Sequence, residues 1–348
     1  MNSFVTISWD EETKSIVLID QTSLPTSCRM IRCRTVNRLI TAIRRLEVRG
    51  APALGIAGAY GVALAAFSIK LTSFPRYTHR VKNAGFAIGN ARPTAVNLSW
   101  GVHRVLTKAE ELATSIEEYR QIALVEAQTV AEEDSAACHA LGDYGAALLP
   151  DTGTILTHCN AGALACREWG TALGIVRSAV ASGKNISVIA CETRPLLQGA
   201  RLTAWELKRD GIPVTVIPDS AAAHLMRKDK IDCIIVGADR ITRDTVFNKV
   251  GTYMHALCAK SHDLPFYVAV PSSTFDSIHA GSEIEIEERE RDEVARFSGR
   301  ITVPDGVSVI NPAFDATPLS LVSALVTEKG IISPASDWMQ TGKIHRII

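Results

Sequence analysis

Five polar clusters follow five short apolar runs in the second half of the chain, and they carry the side chains equipped for chemistry. Cys159-Asn160 follows the run through Ile155-Leu156. Glu192-Thr193-Arg194, and then Gln198, follow Ile186–Cys191, and Asp219-Ser220 follows Pro213–Ile217. Gly237-Ala238-Asp239-Arg240 follows Cys233–Val236, with Asn248-Lys249 shortly beyond, and Pro271-Ser272-Ser273-Thr274 follows Phe266–Val270. Taken singly, Asp219-Ser220 and Asp239 read equally well as caps, and a lone cysteine as a small buried hydrophobe. Together they place a thiol, carboxyls, cations and amides where one crevice would collect them, which suits a small phosphorylated, hydroxyl-rich substrate. An apolar setting favours the protonated carboxyl, so Asp239 is a candidate general acid. Cys159 is a candidate base wherever a cation or a helix N-terminus favours its thiolate.

The elements that position these residues read as strands alternating with helical segments, which predicts a mainly parallel sheet with right-handed crossovers. Strands are expected at Thr154–Thr157, Ile186–Cys191, Pro213–Ile217, Cys233–Val236, Phe266–Val270 and Val307–Ile310. The stretch TILTHCNAGALA (154–165) reads as a buried strand turning directly into a helix, with Cys159 and Asn160 at the strand's carboxyl end, where ligands bind in open α/β sheets. Cys191 and Cys233 read as core residues. Upstream, Phe4–Trp9 and Ile16–Asp20 alternate as a hairpin. Helices are expected over Val36–Leu46, from Ala51 to Ile69, after a loop at Lys70–Thr78, over Val102–Leu112 and over Ile116–Gly142. Arg92-Pro93-Thr94 and Asn97–Trp100 form a non-periodic polar patch, and Glu132, Glu133 and Asp134 a solvated face. Arg49 stands just before the N-terminus of the Ala51–Ile69 helix, where backbone N–H groups favour an anion. The expected fold class is α/β, an N-terminal hairpin plus helical domain over 1–140 and a Rossmann-like domain over 150–348.

Composition bounds the function. The chain has 348 residues, 47% hydrophobic and 21% charged, with 37 basic against 37 acidic residues. A zero net charge argues against nucleic-acid and membrane-surface partners, which need a concentrated positive field. The eight cysteines are scattered, with no CxxC pair or zinc-like spacing, and read as reduced thiols of a cytoplasmic enzyme. The uncharged run Ala51–Ile69 is nearly long enough to span a bilayer, but its Ala, Gly and Pro content makes it weakly apolar and reads as a buried helix. No GxGxxG opens a helix and no GxxxxGK[ST] is present, which removes the main support for dinucleotide or P-loop binding.

Long motifs then carry a resemblance over essentially the whole chain: VRGAPALGIAGAYG (48–61), NLSWGV (97–102), ILTHCNAGALA (155–165) and CETRPLLQGARLTAWEL (191–207), followed by GADRI (237–241), NKVGTY (248–253), PFYVAVPSSTFD (265–276), IEER (286–289) and NPAFDATP (311–318). The chain resembles the methylthioribose-1-phosphate isomerase family of methionine salvage, which groups with ribose-1,5-bisphosphate isomerases and the regulatory subunits of translation initiation factor 2B. The resemblance implies a catalytic pair, Cys159 and Asp239. It implies substrate contacts from Arg49, Gly50, Ala51, Arg92, Gln198, Asn248 and Lys249, with Arg49 and Arg92 on the phosphate. It further implies a homodimer acting on a small sugar phosphate without metal or organic cofactor.

In such a substrate the phosphate on C1 blocks ordinary ring opening. An acid must help the ring oxygen leave, and hydrogen must pass from C2 to C1. Asp239, the candidate general acid, is expected to perform the first task. Cys159 either shuttles a proton through an enol phosphate or assists a hydride shift. Family members commonly carry an Asn-Gly-Asp turn between GADRI and NK; here the segment is Thr242-Arg243-Asp244-Thr245-Val246-Phe247. The alternatives are a related isomerase acting on ribose 1,5-bisphosphate or 5-deoxyribose 1-phosphate, and a non-catalytic regulatory subunit. The regulatory subunits lack the paired Cys and Asp.

Overall fold

A computed structural model describes residues 4–334. Residues 335–348, included in the expected second domain, lie outside the described residues. The chain divides into two compact units, one of 4–139 with 162–170 and one of 140–161 with 171–334. The excursion 162–170 therefore belongs with the helical unit, although its sequence follows the first strand of the sheet.

The helical unit opens with three antiparallel strands, β1 (Ile7–Asp10), β2 (Ser15–Ile19) and β3 (Met30–Cys33). The expected hairpin gains a third strand at Met30–Cys33, whose residues alternate exposed and covered. Five helices follow: α1 (Val36–Arg44), α2 (Ala51–Ser68), α3 (Phe74–Gly89), α4 (Val96–Leu112) and α5 (Ile116–Ala146), the last belonging to this unit as far as His139. Helix α2 is long and apolar enough to cross a membrane, yet 78% of it is buried inside the protein. Its small residues explain that burial. A Cβ on Gly101 of α4 would lie 2.0 Å from the Gly55 carbonyl oxygen, so α2 and α4 cross backbone against backbone.

That crossing also corrects the expected patch at Asn97–Trp100. Asn97, Leu98, Val102, Val105, Leu106 and Ala109 form a buried stripe on α4, and tertiary packing overrides the weak local helix preference. Similarly α3 begins at Phe74, inside the expected 70–78 loop, with Pro75 in its first turn. Asp134 is not part of a solvated face. Its carboxylate accepts the Arg167 N–H at 2.7 Å, and Glu133 ion-pairs with Arg104.

The sheet unit is mixed α/β. Six of its strands run parallel: β4 (Thr152–Thr157), β5 (Asn185–Cys191), β6 (Val214–Ile217), β7 (Cys233–Val236), β10 (Phe266–Ala269) and β14 (Ala324–Thr327). The edge strand β15 (Gly330–Ile332) is antiparallel, and the order is β15-β14-β10-β7-β4-β5-β6. From β4 the chain adds β5 and β6 on one side, then returns to add β7 on the other. That reversal opens a crevice at the carboxyl end of β4. A second sheet, β13-β9-β8, joins β8 (Arg240–Ile241), β9 (Thr245–Lys249) and β13 (Phe314–Pro318), while β11 (Arg296–Phe297) pairs with β12 (Arg300–Ile301). The helices are α6 (Ala172–Ala181), α7 (Ala204–Asp210), α8 (Ala222–Arg227), α9 (Thr252–Ser261) and α10 (Arg291–Ala295).

Two expectations fail here. No strand forms over Val307–Ile310, where Ile310 is 82% exposed, because its apolar residues find no core to enter. Strand β4 also does not turn directly into a helix. A single 3-10 turn at Ala163–Ala165 intervenes, and α6 starts only at Ala172. Cys191 and Cys233 are buried in the core, as expected.

Candidate active site

Cys159 sits two residues past β4, partly exposed, with its backbone in the left-handed region at φ 65°. An L-residue holds that conformation only when its surroundings fix it. Here the Cys159 N–H donates to Thr193 Oγ1 at 2.8 Å, and the Thr203 hydroxyl donates to the Cys159 carbonyl at 2.7 Å. Thr193 itself has φ 68°; its N–H and that of Arg194 both donate to the Asp219 carboxylate at 2.7 Å. Asp219 therefore braces the loop after β5 and is not the helix cap that its sequence also allowed. Asn160 is buried and its Nδ2 donates to Glu206 Oε1 at 2.9 Å. Behind it Glu206, fully buried, pairs with Arg177 at 2.8 Å, and Arg177 also pairs with Asp210 at 2.7 Å.

Gln198 precedes a π-helical turn, Gly199–Thr203, and its Oε1 is buried without a hydrogen-bond partner among the described residues. Such turns insert one extra residue into a helix and recur at functional sites. Asp239 follows β7 and is half-buried, its N–H donating to the Phe247 carbonyl at 2.9 Å. Asn248 and Lys249 end β9, each 5% exposed, and Asn248 Nδ2 donates to Thr252 Oγ1 at 2.9 Å. Burial pushes the Lys249 ammonium below its ordinary pKa, while the nearby Cys159 and Asp239 act the other way. The sheet unit thus gathers Cys159, Asp239 and Lys249 into one electrostatic neighbourhood.

Beneath them lies a buried chain of neutral groups. The His158 Nε2 donates to the Val250 carbonyl at 2.8 Å, His255 Nε2 lies 3.2 Å from His158 Nδ1, and Cys191 Sγ lies 3.5 Å from His255 Nε2. Burial pushes the His158 pKa down to about 4 and that of His255 to about 3, and raises the Cys191 thiol. These three residues converge closely enough to hold a metal ion, as do Asp134, Cys138 and Cys166 in the helical unit. The short His–His contact is itself a hydrogen bond between neutral rings. Asp315, raised to about 6 by burial, accepts the Gly251 and Tyr253 N–H groups at the start of α9.

The other candidates belong to the helical unit. Arg49 Nε donates to Gln21 Oε1 at 3.0 Å, and Gln21 in turn donates to the Leu164 carbonyl at 2.7 Å. Gly50 has φ 97°, and a Cβ there would lie 2.6 Å from Ala165 Cα, so this N-cap position of α2 admits only glycine. Ala51 opens α2, and Arg92 lies in the turn between α3 and α4, its carbonyl accepting the Ala95 N–H at 3.0 Å. The departing segment 242–247 makes the β8–β9 turn and the first three residues of β9. Asp244 Oδ1 accepts the Gly281 N–H at 2.9 Å, and Arg243 Nη2 donates to the Ser277 carbonyl at 3.0 Å.

Sequence reasoning missed Thr203, Glu206, Arg177 and the His158–His255 pair. Thr203 and Glu206 lie within a motif that reads simply as helix, and their partners stand 44 and 46 residues away in the chain.

The chain belongs to the initiation factor 2 subunit family, which it matches over residues 47–334. Within that family it is 51% identical over 332 residues to the methylthioribose-1-phosphate isomerase of Heliobacterium modesticaldum, covering 94% of this chain and 96% of that one. It is also similar to the crystal structure of 5-methylthioribose 1-phosphate isomerase from Pyrococcus horikoshii, with a TM-score of 0.90, 39% identity, and coverage of 97% and 95% of the two chains. A structure titled translation initiation factor eIF-2B, subunit delta, from A. fulgidus superposes with a TM-score of 0.86 at 51% identity, covering 95% and 96%.

Proposed function

We propose that the chain is an aldose–ketose isomerase of methionine salvage, converting 5-methylthioribose 1-phosphate to 5-methylthioribulose 1-phosphate. The observation that carries this reading is the clamped Cys159 at the carboxyl end of β4, sharing its surroundings with Asp239 and the buried ammonium of Lys249. Similarity to isomerases over nearly the whole chain supports it.

Asp239 donates a proton to the ring oxygen as its bond to C1 breaks. In the proton route Cys159 takes the hydrogen from C2 as a proton, the C1–C2 enol phosphate forms, and the proton returns to C1 while the C2 hydroxyl becomes the carbonyl and gives its own proton to the Asp239 carboxylate, which restores the acid. In the hydride route the C2 hydrogen moves directly to C1 with its electron pair, and the C2 hydroxyl gives its proton to the Asp239 carboxylate as it becomes the carbonyl. Either way Lys249 stabilises negative charge developing beside it, and a site with little water strengthens that effect. Gln198, Asn248, Gly50 and Ala51 contact substrate, and Arg49 and Arg92 hold the phosphate. The active form is a cytoplasmic homodimer.

A second reading, a regulatory subunit that binds without turnover, is supported by the likeness to the A. fulgidus structure named as an eIF-2B subunit. Following 5-methylthioribose 1-phosphate by 31P and 13C NMR with wild type and Cys159→Ser separates the readings. Ketose 1-phosphate from wild type, lost in the variant, is the expected result. Conversion only of ribose 1,5-bisphosphate or 5-deoxyribose 1-phosphate would move the substrate. No turnover on any of the three would leave the regulatory reading.

A further inference from the structure

We propose that Thr193 and Thr203 are positioning residues for the Cys159 thiol: two buried hydroxyls that grip the N–H and the carbonyl of this one residue and so fix the direction in which its side chain leaves the strand. The inference rests on the reading of Cys159 as a catalytic group. Both threonines are fully buried, so neither touches substrate.

Each of the two hydroxyls both donates and accepts a hydrogen bond among the described residues. Thr193 Oγ1 accepts from the Cys159 N–H at 2.8 Å and donates its proton to the Cys191 carbonyl at 3.0 Å. Thr203 Oγ1 donates its proton to the Cys159 carbonyl at 2.7 Å and accepts from Asn160 Nδ2 at 3.3 Å. A hydroxyl has one proton, and each of these is committed to a backbone carbonyl. The grip thus ties the end of β4 to the end of β5 on one side and to the π-helical turn on the other.

Each threonine stands at a local irregularity of the backbone, Thr193 in its own dihedral angles and Thr203 at the end of the π-helical turn. Thr193 is a β-branched residue at φ 68°, a backbone state such residues rarely enter, and the Asp219 carboxylate holds it there through the N–H groups of Thr193 and Arg194. Thr203 closes the π-helical turn Gly199–Thr203, where the extra residue resets which side chains face β4. The first residue of the turn, Gly199, must be glycine, because a Cβ there would stand 1.7 Å from the Cys191 carbonyl oxygen. Strain at two positions and a helical irregularity at a third all converge on the placement of one thiol-bearing residue.

The test uses the full chain with Thr193→Val and Thr203→Val, which keep shape and remove the hydroxyl, beside Thr193→Ser and Thr203→Ser, which keep the hydroxyl. Turnover is measured well below each melting temperature. In parallel, iodoacetamide alkylation of Cys159 is followed by peptide mass spectrometry from pH 6 to 10. A displaced reacting group lowers kcat by about 10- to 100-fold with KM little changed, which is expected for the valine variants, with recovery in the serine variants. The pH profile of Cys159 alkylation is expected to shift in the valine variants and return in the serine variants. Valine variants that melt lower yet keep wild-type kcat and an unshifted alkylation profile would overturn the proposal and leave a purely structural role. The two substitutions act on opposite ends of Cys159, so either one that folds carries the test. Alkylation needs no substrate, so it still tests the clamp if wild type turns over no sugar phosphate, a result that would defeat the isomerase reading instead.

Discussion

Replacing Arg177 by methionine removes the guanidinium from a buried ionic triad whose other members are Glu206 and Asp210. The side chains of Arg177, Glu206 and Asp210 are 3%, 0% and 4% exposed, and the guanidinium lies 2.8 Å from Glu206 and 2.7 Å from Asp210. Arg177→Met leaves two carboxylates one helical turn apart on α7 with their charges uncompensated. Removing one partner of a buried pair costs about 3–5 kcal/mol, most of it the penalty of the charge left behind. For a domain of this size each kcal/mol lowers Tm by roughly 2–4 °C, so the expected fall is on the order of 10 °C. Circular dichroism melts and urea titrations of the whole chain measure it. Adding Glu206→Gln and Asp210→Asn removes the stranded charges, and this triple variant is expected to recover at least half of the loss. The glutamine also keeps an acceptor for Asn160, which Glu206 holds through Oε1 at 2.9 Å. A single variant within about 1 kcal/mol of wild type, or a triple variant no better than the single one, would refute the view that uncompensated charge dominates here.

Two further perturbations test the surroundings of Cys159. Gly199→Ala places a methyl group 1.7 Å from the Cys191 carbonyl oxygen, a backbone atom that cannot yield, so the π-helical turn must open. The expected result is at least about 2 kcal/mol of lost stability by urea titration, with turnover reduced more than tenfold in whatever remains folded. His255→Leu addresses pH. His255 is pushed down to about 3 by burial and by His158, so its neutral form is favoured in the fold. A base whose folded pKa lies below its unfolded value of about 6.5 stabilises the protein above pH 6.5 and loses that contribution as pH falls toward the folded value. Between pH 7 and pH 5 this amounts to about 2 kcal/mol, so wild type should lose that much more stability than His255→Leu over the interval. Asp315, raised to about 6, gives the opposite slope, but it is present in both proteins and cancels in the difference. Equal pH dependence in the two proteins would show that His255 does not bury as a neutral ring.

How much of this was legible beforehand depended on whether a feature is local. The runs ISVIAC and CIIV read as strands locally because every residue but Ser187 is apolar, and all but Val307–Ile310 of the expected strands form. The exception is equally apolar, but its neighbours Pro304, Asp305 and Gly306 turn it away from the core. Strands β14 and β15 escaped because Ala324–Ile332 is short and broken by Glu328-Lys329, which make the tight turn between them. Helix α4 started earlier than its sequence suggests because packing of Gly101 against Gly55 rewards helix where Asn97–Trp100 alone does not.

The candidate site divides along the same line. A parallel sheet forces whatever follows each strand onto one edge, so Cys159, Gln198, Asp239, Asn248 and Lys249 could be listed from strand ends alone. What holds them could not. Thr203 reaches Cys159 across 44 residues, Glu206 reaches Asn160 across 46, and Arg177 reaches Glu206 across 29. The π-helical turn that aims Thr203 has no composition of its own, since RLTAWEL reads as ordinary helix. The same holds for the segment 242–247, where the sequence departs from the family's usual turn: Asp244 and Arg243 fasten it to Gly281 and Ser277, contacts that no spacing announces. Reactive groups are dictated by topology, which a periodic sequence reveals. Their orientation is dictated by hydrogen bonds between distant segments, so substitutions outside the reactive set, at Thr193, Thr203 or Glu206, are the ones from which loss of activity would be hardest to foresee by sequence.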